Sequence, residues 1–167
     1  MQHTGWLLLG TNLGKRLENL QAATGAIRTF LGSVEVQSHI YETAAWGKTH
    51  QPAYYNQAIR ISTPCTALET LHHIKQIEFL LGRKHDEKWS PRVIDIDILF
   101  FDDISITSPL LTIPHALLHE RRFALEPLHE IAPELVHPTL DLSVTQMLAL
   151  CKDNSEVKLL EELHWEF

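Results

Sequence analysis

The run Val93-Ile94-Asp95-Ile96-Asp97-Ile98-Leu99-Phe100-Phe101 admits few structures. Its branched apolar residues alternate with aspartates, a period of two that a strand sorts onto opposite faces and a helix does not. In a strand Ile94, Ile96 and Ile98 point one way. Asp95 and Asp97 point the other, about 7 Å apart at the usual rise per residue. A strand of buried character has little reason to carry two acids unless something neutralises them. Hard divalent cations take carboxylate oxygens together with phosphate oxygens, and two such ions can clamp both sides of a phosphoryl displacement. The plainer reading of an isolated Asp-x-Asp is a solvated strand face.

The preceding residues favour the phosphate reading. Arg83, Lys84, His85, Lys88 and Arg92 stand there against only Asp86 and Glu87. That is a local basic excess in a chain with 14 Lys+Arg, 21 Asp+Glu and a net charge of −7. Arginine can hold phosphate oxygens bidentately, so acids for cations beside bases for phosphate suggest a nucleoside triphosphate site. The acidic total argues against a dedicated nucleic-acid binder, whose footprint is a basic face. Other signals are weaker. Gly10-Thr11-Asn12-Leu13-Gly14-Lys15-Arg16 is one residue short of a phosphate loop and lacks its Ser/Thr, so it reads as a tight turn capping a helix. His115 and His119 have the spacing of metal ligands on a helix but no evident third partner. Cys65 and Cys151 are too few for a disulfide framework and read as free thiols.

At 167 residues the chain fits one domain, residues 1–167, able to bury about two thirds of its unfolded surface. Trp6–Leu9 reads as a buried strand stopped by Gly10. Asn12 precedes a helical spacing of Leu17, Leu20, Ala23, Ile27 and Phe30, closed by Gly32. Val34–Tyr41 and Tyr54–Ser62 read as strands, with 43–52 a loop between them. Thr66 and Glu69 form a capping box for a helix that turns Leu68, Leu71, Ile74, Ile77, Phe79 and Leu81 inward and ends at Gly82. Residues 83–92 are a polar loop and Val93–Phe101 the strongest strand. Thr112-Ile113-Pro114 interrupts the pattern, and helical stretches follow over Leu117–Ile131 and from a Ser143 cap to Leu150. For Glu156–Glu162 strand and helix remain open. The order βαββαβ predicts an α/β (α+β) ferredoxin-like core, with helices packed on a mostly antiparallel sheet. No stretch is long and apolar enough to span a membrane, and the start lacks a basic signal region, so a cytoplasmic chain is expected.

These motifs, in this order, resemble a known family. Leu9-Gly10-Thr11-Asn12-Leu13-Gly14 is followed by Ser38-His39-Ile40-Tyr41-Glu42-Thr43, Trp46-Gly47 and Gln51-Pro52. Then come Tyr54-Tyr55-Asn56-Gln57-Ala58, Ile77-Glu78 through Leu81-Gly82-Arg83, Trp89–Leu99, and Leu111-Thr112-Ile113-Pro114-His115 with Arg121 and Phe123. Together they are similar to the 6-hydroxymethyl-7,8-dihydropterin pyrophosphokinases of folate biosynthesis. The resemblance implies transfer of pyrophosphate from ATP to the hydroxymethyl group of the pterin, leaving AMP. It implies two magnesium ions on Asp95 and Asp97, with Arg83 and Arg92 steadying the transferring group. His115, Arg121 and Arg92 would meet ATP phosphates, and Glu78, Ile98, Thr112 and Trp89 the rest of the nucleotide. Trp89 and Phe123 would sandwich the pterin, whose edge Asn56, Thr43, Trp46 and Tyr54 would read.

A flat polar bicycle gains from stacking on both faces and from paired donors and acceptors at its edge. Attack on a β-phosphorus needs in-line positioning and charge neutralisation more than a strong base. The chain departs from the family at Ala116, Leu110, Lys75 and Ala44-Ala45, none of which removes a metal ligand or a stacking ring. The expected partners are the two small-molecule substrates, without nucleic acid or membrane, and the chain is expected to be a monomer. The competing readings are a non-catalytic pterin- or nucleotide-binding relative and a ferredoxin-like RNA-binding or regulatory module.

Overall fold

The computed structural model describes residues 1–44, 51–82 and 93–161. The chain runs through β1 (His3–Thr11), α1 (Arg16–Phe30), β2 (Ser33–Gln37), β3 (Ile40–Thr43), β4 (Tyr54–Thr63), α2 (Ala67–Leu80) and β5 (Asp95–Phe101). After these come β6 (Ile106–Thr107), β7 (Thr112–Ile113), a 3-10 turn (Leu118–Glu120), α3 (Arg122–Ile131), α4 (Val144–Leu150) and β8 (Lys158–Leu160). Among the described residues the main sheet has the order β5-β1-β4-β3-β8, with β2 also on β4, and every pairing is antiparallel. The expected ferredoxin-like core is therefore present, as a mixed α/β fold with an antiparallel sheet.

The second strand of that core is broken in two. Between β2 and β3 the Ser38 amide donates to the Ala58 carbonyl at 2.8 Å, and the Ser38 hydroxyl accepts from the Ala58 amide at 2.9 Å. A side chain thus replaces one main-chain acceptor, and the strand bends without leaving a buried amide unpaired. The last strand, open in the sequence, pairs with β3 through Ile40↔Leu160 and Tyr41↔Leu159.

Each face of the sheet carries a core. Leu7, Leu9, Ile59, Ile61, Ile96 and Ile98 pack with Leu20, Ala23 and Ile27 of α1 and Ile74 and Ile77 of α2. Leu8, Ala58, Leu99 and Phe100 pack with Leu125 and Leu128 of α3 and Val144 and Met147 of α4. Leu99 and Phe100 can share a face because the register slips there: Trp6 pairs with Phe100 but Leu7 with Ile98, leaving Leu99 as the extra residue of a bulge.

Local signals for α2 and α4 hold. Thr66 and Ser143 both form capping boxes, with Glu69 and Gln146 respectively. Other expectations are corrected. Leu68 and Phe79 are 57% and 74% exposed, and Thr70 and Glu78 occupy the buried face instead. Phe30 is likewise exposed, at 43%. Gly10 does not end the first strand, which runs on through Thr11. Nor does the turn cap α1 through Asn12: Lys15 holds the cap position without a side-chain bond, and the Asn12 amide donates to Gln51 Oε1 and the Pro52 carbonyl. Gly32 does close α1, at φ 152°, where a Cβ would run into the Ser62 carbonyl.

Candidate active site

The site is built on the face that carries the α3–α4 core, from rows of directly opposed residues. Leu8 pairs with Asp97 on one side and Ala58 on the other. Two residues along, Gly10 pairs with Asp95 and Asn56, and Asn56 in turn with Tyr41. Opposed residues share a face, so Asp95 and Asn56 look across Gly10 over two strand spacings, about 10 Å. Gly10 keeps that interval clear: a Cβ there would lie 2.9 Å from Asn56 Oδ1. The sequence hides this role because Gly10 reads there as the start of a turn, although a glycine inside an apolar strand signals a close approach.

At the Asn56 end the side-chain amide donates to Thr43 Oγ1 at 3.2 Å, and both residues are buried. Thr43 pairs with Tyr54 across the ends of β3 and β4. Three residues expected to read the pterin edge thus meet. Trp46, Arg83, Trp89 and Arg92 lie outside the described residues.

At the other end negative charge accumulates. Burial, reinforced by Asp95 and Glu78, pushes the Asp97 carboxyl up to about 7, with Arg121 and Lys75 pulling the other way. Such a surplus suits a bound cation. Among the described residues no three or more His, Cys, Asp or Glu side chains form a metal-holding group. Two carboxylates with water and phosphate oxygens would make a donor set that fits magnesium.

His115 is brought to the aspartates by the bulge, because its amide donates to the carbonyl of the extra residue, Leu99, at 3.0 Å. Its Nδ1 accepts from the Leu117 amide at 3.2 Å. That bond puts the ring proton on Nε2 when the ring is neutral. Burial and nearby Arg121 hold the imidazole below its usual range, while Asp95 acts against them, so neutral pH finds an Nε2–H donor. Arg121 holds the N-cap position of α3, with its guanidinium 5.5 Å from the centre of the Phe123 ring. Thr112 lies on β7, three residues before His115.

Two expected nucleotide residues are turned elsewhere. Ile98 is 4% exposed and faces the α1–α2 core, so only its main chain can meet a ligand. Glu78 is buried; its carboxylate accepts from the Ile96 amide at 3.0 Å and pairs with Lys75 Nζ at 3.3 Å. Lys75, a departure in the sequence, therefore has a definite partner.

The chain is similar to known proteins over most of its length. The profile of the family described as 7,8-dihydro-6-hydroxymethylpterin-pyrophosphokinase matches residues 6–133. The chain is 40% identical over 135 residues to a 2-amino-4-hydroxy-6-hydroxymethyldihydropteridine pyrophosphokinase of Aquifex aeolicus, covering 81% of this chain and 84% of that one. It is 34% identical over 157 residues to the protein of the same name in Haemophilus influenzae, covering 93% and 98%. A Dictyostelium discoideum folic acid synthesis protein is 37% identical, but this chain spans only 22% of its length. Among solved structures, a wild-type Plasmodium falciparum HPPK-DHPS with pterin and p-hydroxybenzoate superposes with a TM-score of 0.73 at 18% identity. That match covers 90% of this chain and 42% of the other, and it speaks to the fold alone.

Proposed function

The chain belongs to the 7,8-dihydro-6-hydroxymethylpterin-pyrophosphokinase family, and we propose that its reaction runs along the row Asn56–Gly10–Asp95. It transfers pyrophosphate from ATP to the hydroxymethyl oxygen of 6-hydroxymethyl-7,8-dihydropterin, in folate biosynthesis, releasing AMP. The hydroxyl oxygen bonds to the β-phosphorus, the bond from that phosphorus to the α-phosphate oxygen breaks, and the hydroxyl proton leaves to solvent.

In this reading Asn56, Thr43 and Tyr54 hold the pterin edge, and Phe123 supports one face of the ring. Trp46 and Trp89 join them by family resemblance, as Arg83 and Arg92 join the phosphate side. Asp95 and Asp97 would hold two magnesium ions, which would supply positive charge against the triphosphate. His115 donates Nε2–H to a phosphate oxygen, and Arg121 adds a fixed positive charge beside it. Thr112 and the main chain of Ile98 line the nucleotide's further end, and Glu78 stands behind them holding the Ile96 amide. Gly10 leaves room for the hydroxymethyl group to reach across to the aspartate side.

The two cores share β1, β4 and β5, which supports one domain. The reading takes the chain to work as a monomer. Both cysteines are free thiols, consistent with a cytoplasmic setting, and no described helix is long and apolar enough to cross a membrane.

The observation that carries the reading is the interval kept open by Gly10 between Asn56 and Asp95. AMP release from ATP, dependent on the hydroxymethyl pterin and on magnesium, tests it. Wild type should release AMP only with all three present. Gly10→Val should fold and bind ATP but lose pterin-dependent AMP release. Unimpaired release by that variant overturns the placement, and pterin binding without AMP release by wild type points to a non-catalytic relative.

A further inference from the structure

Three contacts converge on the guanidinium of Arg16, the first residue of α1. Its Nη1 donates to the Ala53 carbonyl at 2.7 Å and lies 3.9 Å from a Glu42 carboxylate oxygen. Its central carbon sits 3.9 Å from the centre of the Tyr55 ring. Glu42 and Tyr55 are direct partners across β3 and β4. The pair before them is Tyr41–Asn56 and the pair after them Thr43–Tyr54. Arg16 therefore lies over the middle of three rungs, on the α1–α2 side. The two flanking rungs present Asn56, Thr43 and Tyr54 on the opposite side.

The other end of this strut is fixed, because α1 is anchored in the core by Leu20, Ala23 and Ile27. Little can be asked of the ion pair alone, since Arg16 and Glu42 remain 27% and 34% exposed. The short bond to a carbonyl and the stacking on Tyr55 add direction, and together they use the planar fork that lysine lacks. Ala53 immediately precedes β4, so the contact fixes where that strand begins.

We propose that Arg16 is a positioning residue for the pterin pocket. It sets the register and spacing of the ends of β3 and β4, so that Thr43, Tyr54 and Asn56 stand in place before the pterin arrives. It acts through the sheet and touches neither substrate. The inference rests on the pterin reading of those three residues.

The test compares Arg16→Ala, Arg16→Lys and Asn56→Ala with wild type, measuring KM for each substrate, kcat and Tm. Arg16→Ala should raise the pterin KM about tenfold, less than the full scale of one charged hydrogen bond plus one cation–π contact, because the effect reaches the pterin only through the sheet. The ATP KM should stay within about twofold, the scale of an exposed ion pair. Arg16→Lys should recover little of the loss, although it keeps the charge. Equal rises in both KM values, tracking the fall in Tm, or full rescue by lysine, overturn the proposal. Asn56→Ala separates the two readings. If it leaves the pterin KM unchanged, the pterin assignment itself fails; if it raises that KM while Arg16→Ala does not, only the Arg16 proposal fails.

Discussion

The carboxylate of Glu78 accepts the amide of Ile96 at 3.0 Å, between Asp95 and Asp97 in the chain. Among the described residues β5 is the edge of the main sheet, so no described strand pairs with this amide on its outer side, and α2 supplies the acceptor. The bond pins the backbone that aims both aspartates.

Glu78→Ala should therefore cost about 1–3 kcal/mol, the usual penalty for a buried donor left unpaired. Glu78→Gln keeps an acceptor and should cost less. Because the Glu78 charge also pushes Asp97 upward, the glutamine variant should lower the pH at which Asp97 ionises. Denaturant unfolding and a carboxyl titration of both variants check this. Equal stability of the alanine variant and wild type would show that the bond is not needed.

Asp97→Ala should abolish turnover with the fold intact, since it removes a ligand from a side chain outside the apolar cores. Asp95→Ala should do the same. Circular dichroism would confirm folding and AMP release would report activity. Near-wild-type magnesium-dependent turnover by either variant would sink the two-metal assignment.

The pH dependence of stability follows from Asp97. Its folded carboxyl is raised to about 7, well above the roughly 3.9 of an unfolded aspartate, so folding takes up a proton between those values. The contribution is full below about pH 4 and is lost as pH rises through about 7. Without magnesium, Tm of the wild type should fall relative to Asp97→Asn between pH 5 and 7.5, on the scale of those two pKa values. Magnesium, which binds the ionised form, should bind more tightly over the same rise. Parallel Tm profiles for the two proteins would contradict the assignment.

Phe123 gives a contrast between ligands. Phe123→Leu keeps apolar bulk against the α3–α4 core but removes the aromatic face. Stacking beyond area burial contributes about 0.5–1.5 kcal/mol, so pterin affinity should fall by about 2- to 10-fold. ATP affinity should hold. Calorimetry with each ligand decides, and an equal loss for both would count against stacking on this ring.

What the sequence determined by itself is whatever depends on near neighbours. The alternation at 94–98 put Asp95 and Asp97 on one face because side-chain direction in a strand has a period of two. Thr66 with Glu69, and Ser143 alone, announced their helices because a cap is completed within four residues. What the tertiary structure decided depends on partners distant in the chain. Phe79 fits the helical period yet faces solvent, while Glu78 turns inward because an unpaired edge amide 18 residues away awaits an acceptor. Gly10 became the floor of a site only when β4 and β5 closed on either side of β1. The bulge at Leu99 that delivers His115 exists only as a mismatch between two strands. Local preference chooses the elements, but register and edge satisfaction are properties of pairs, and no single segment carries them.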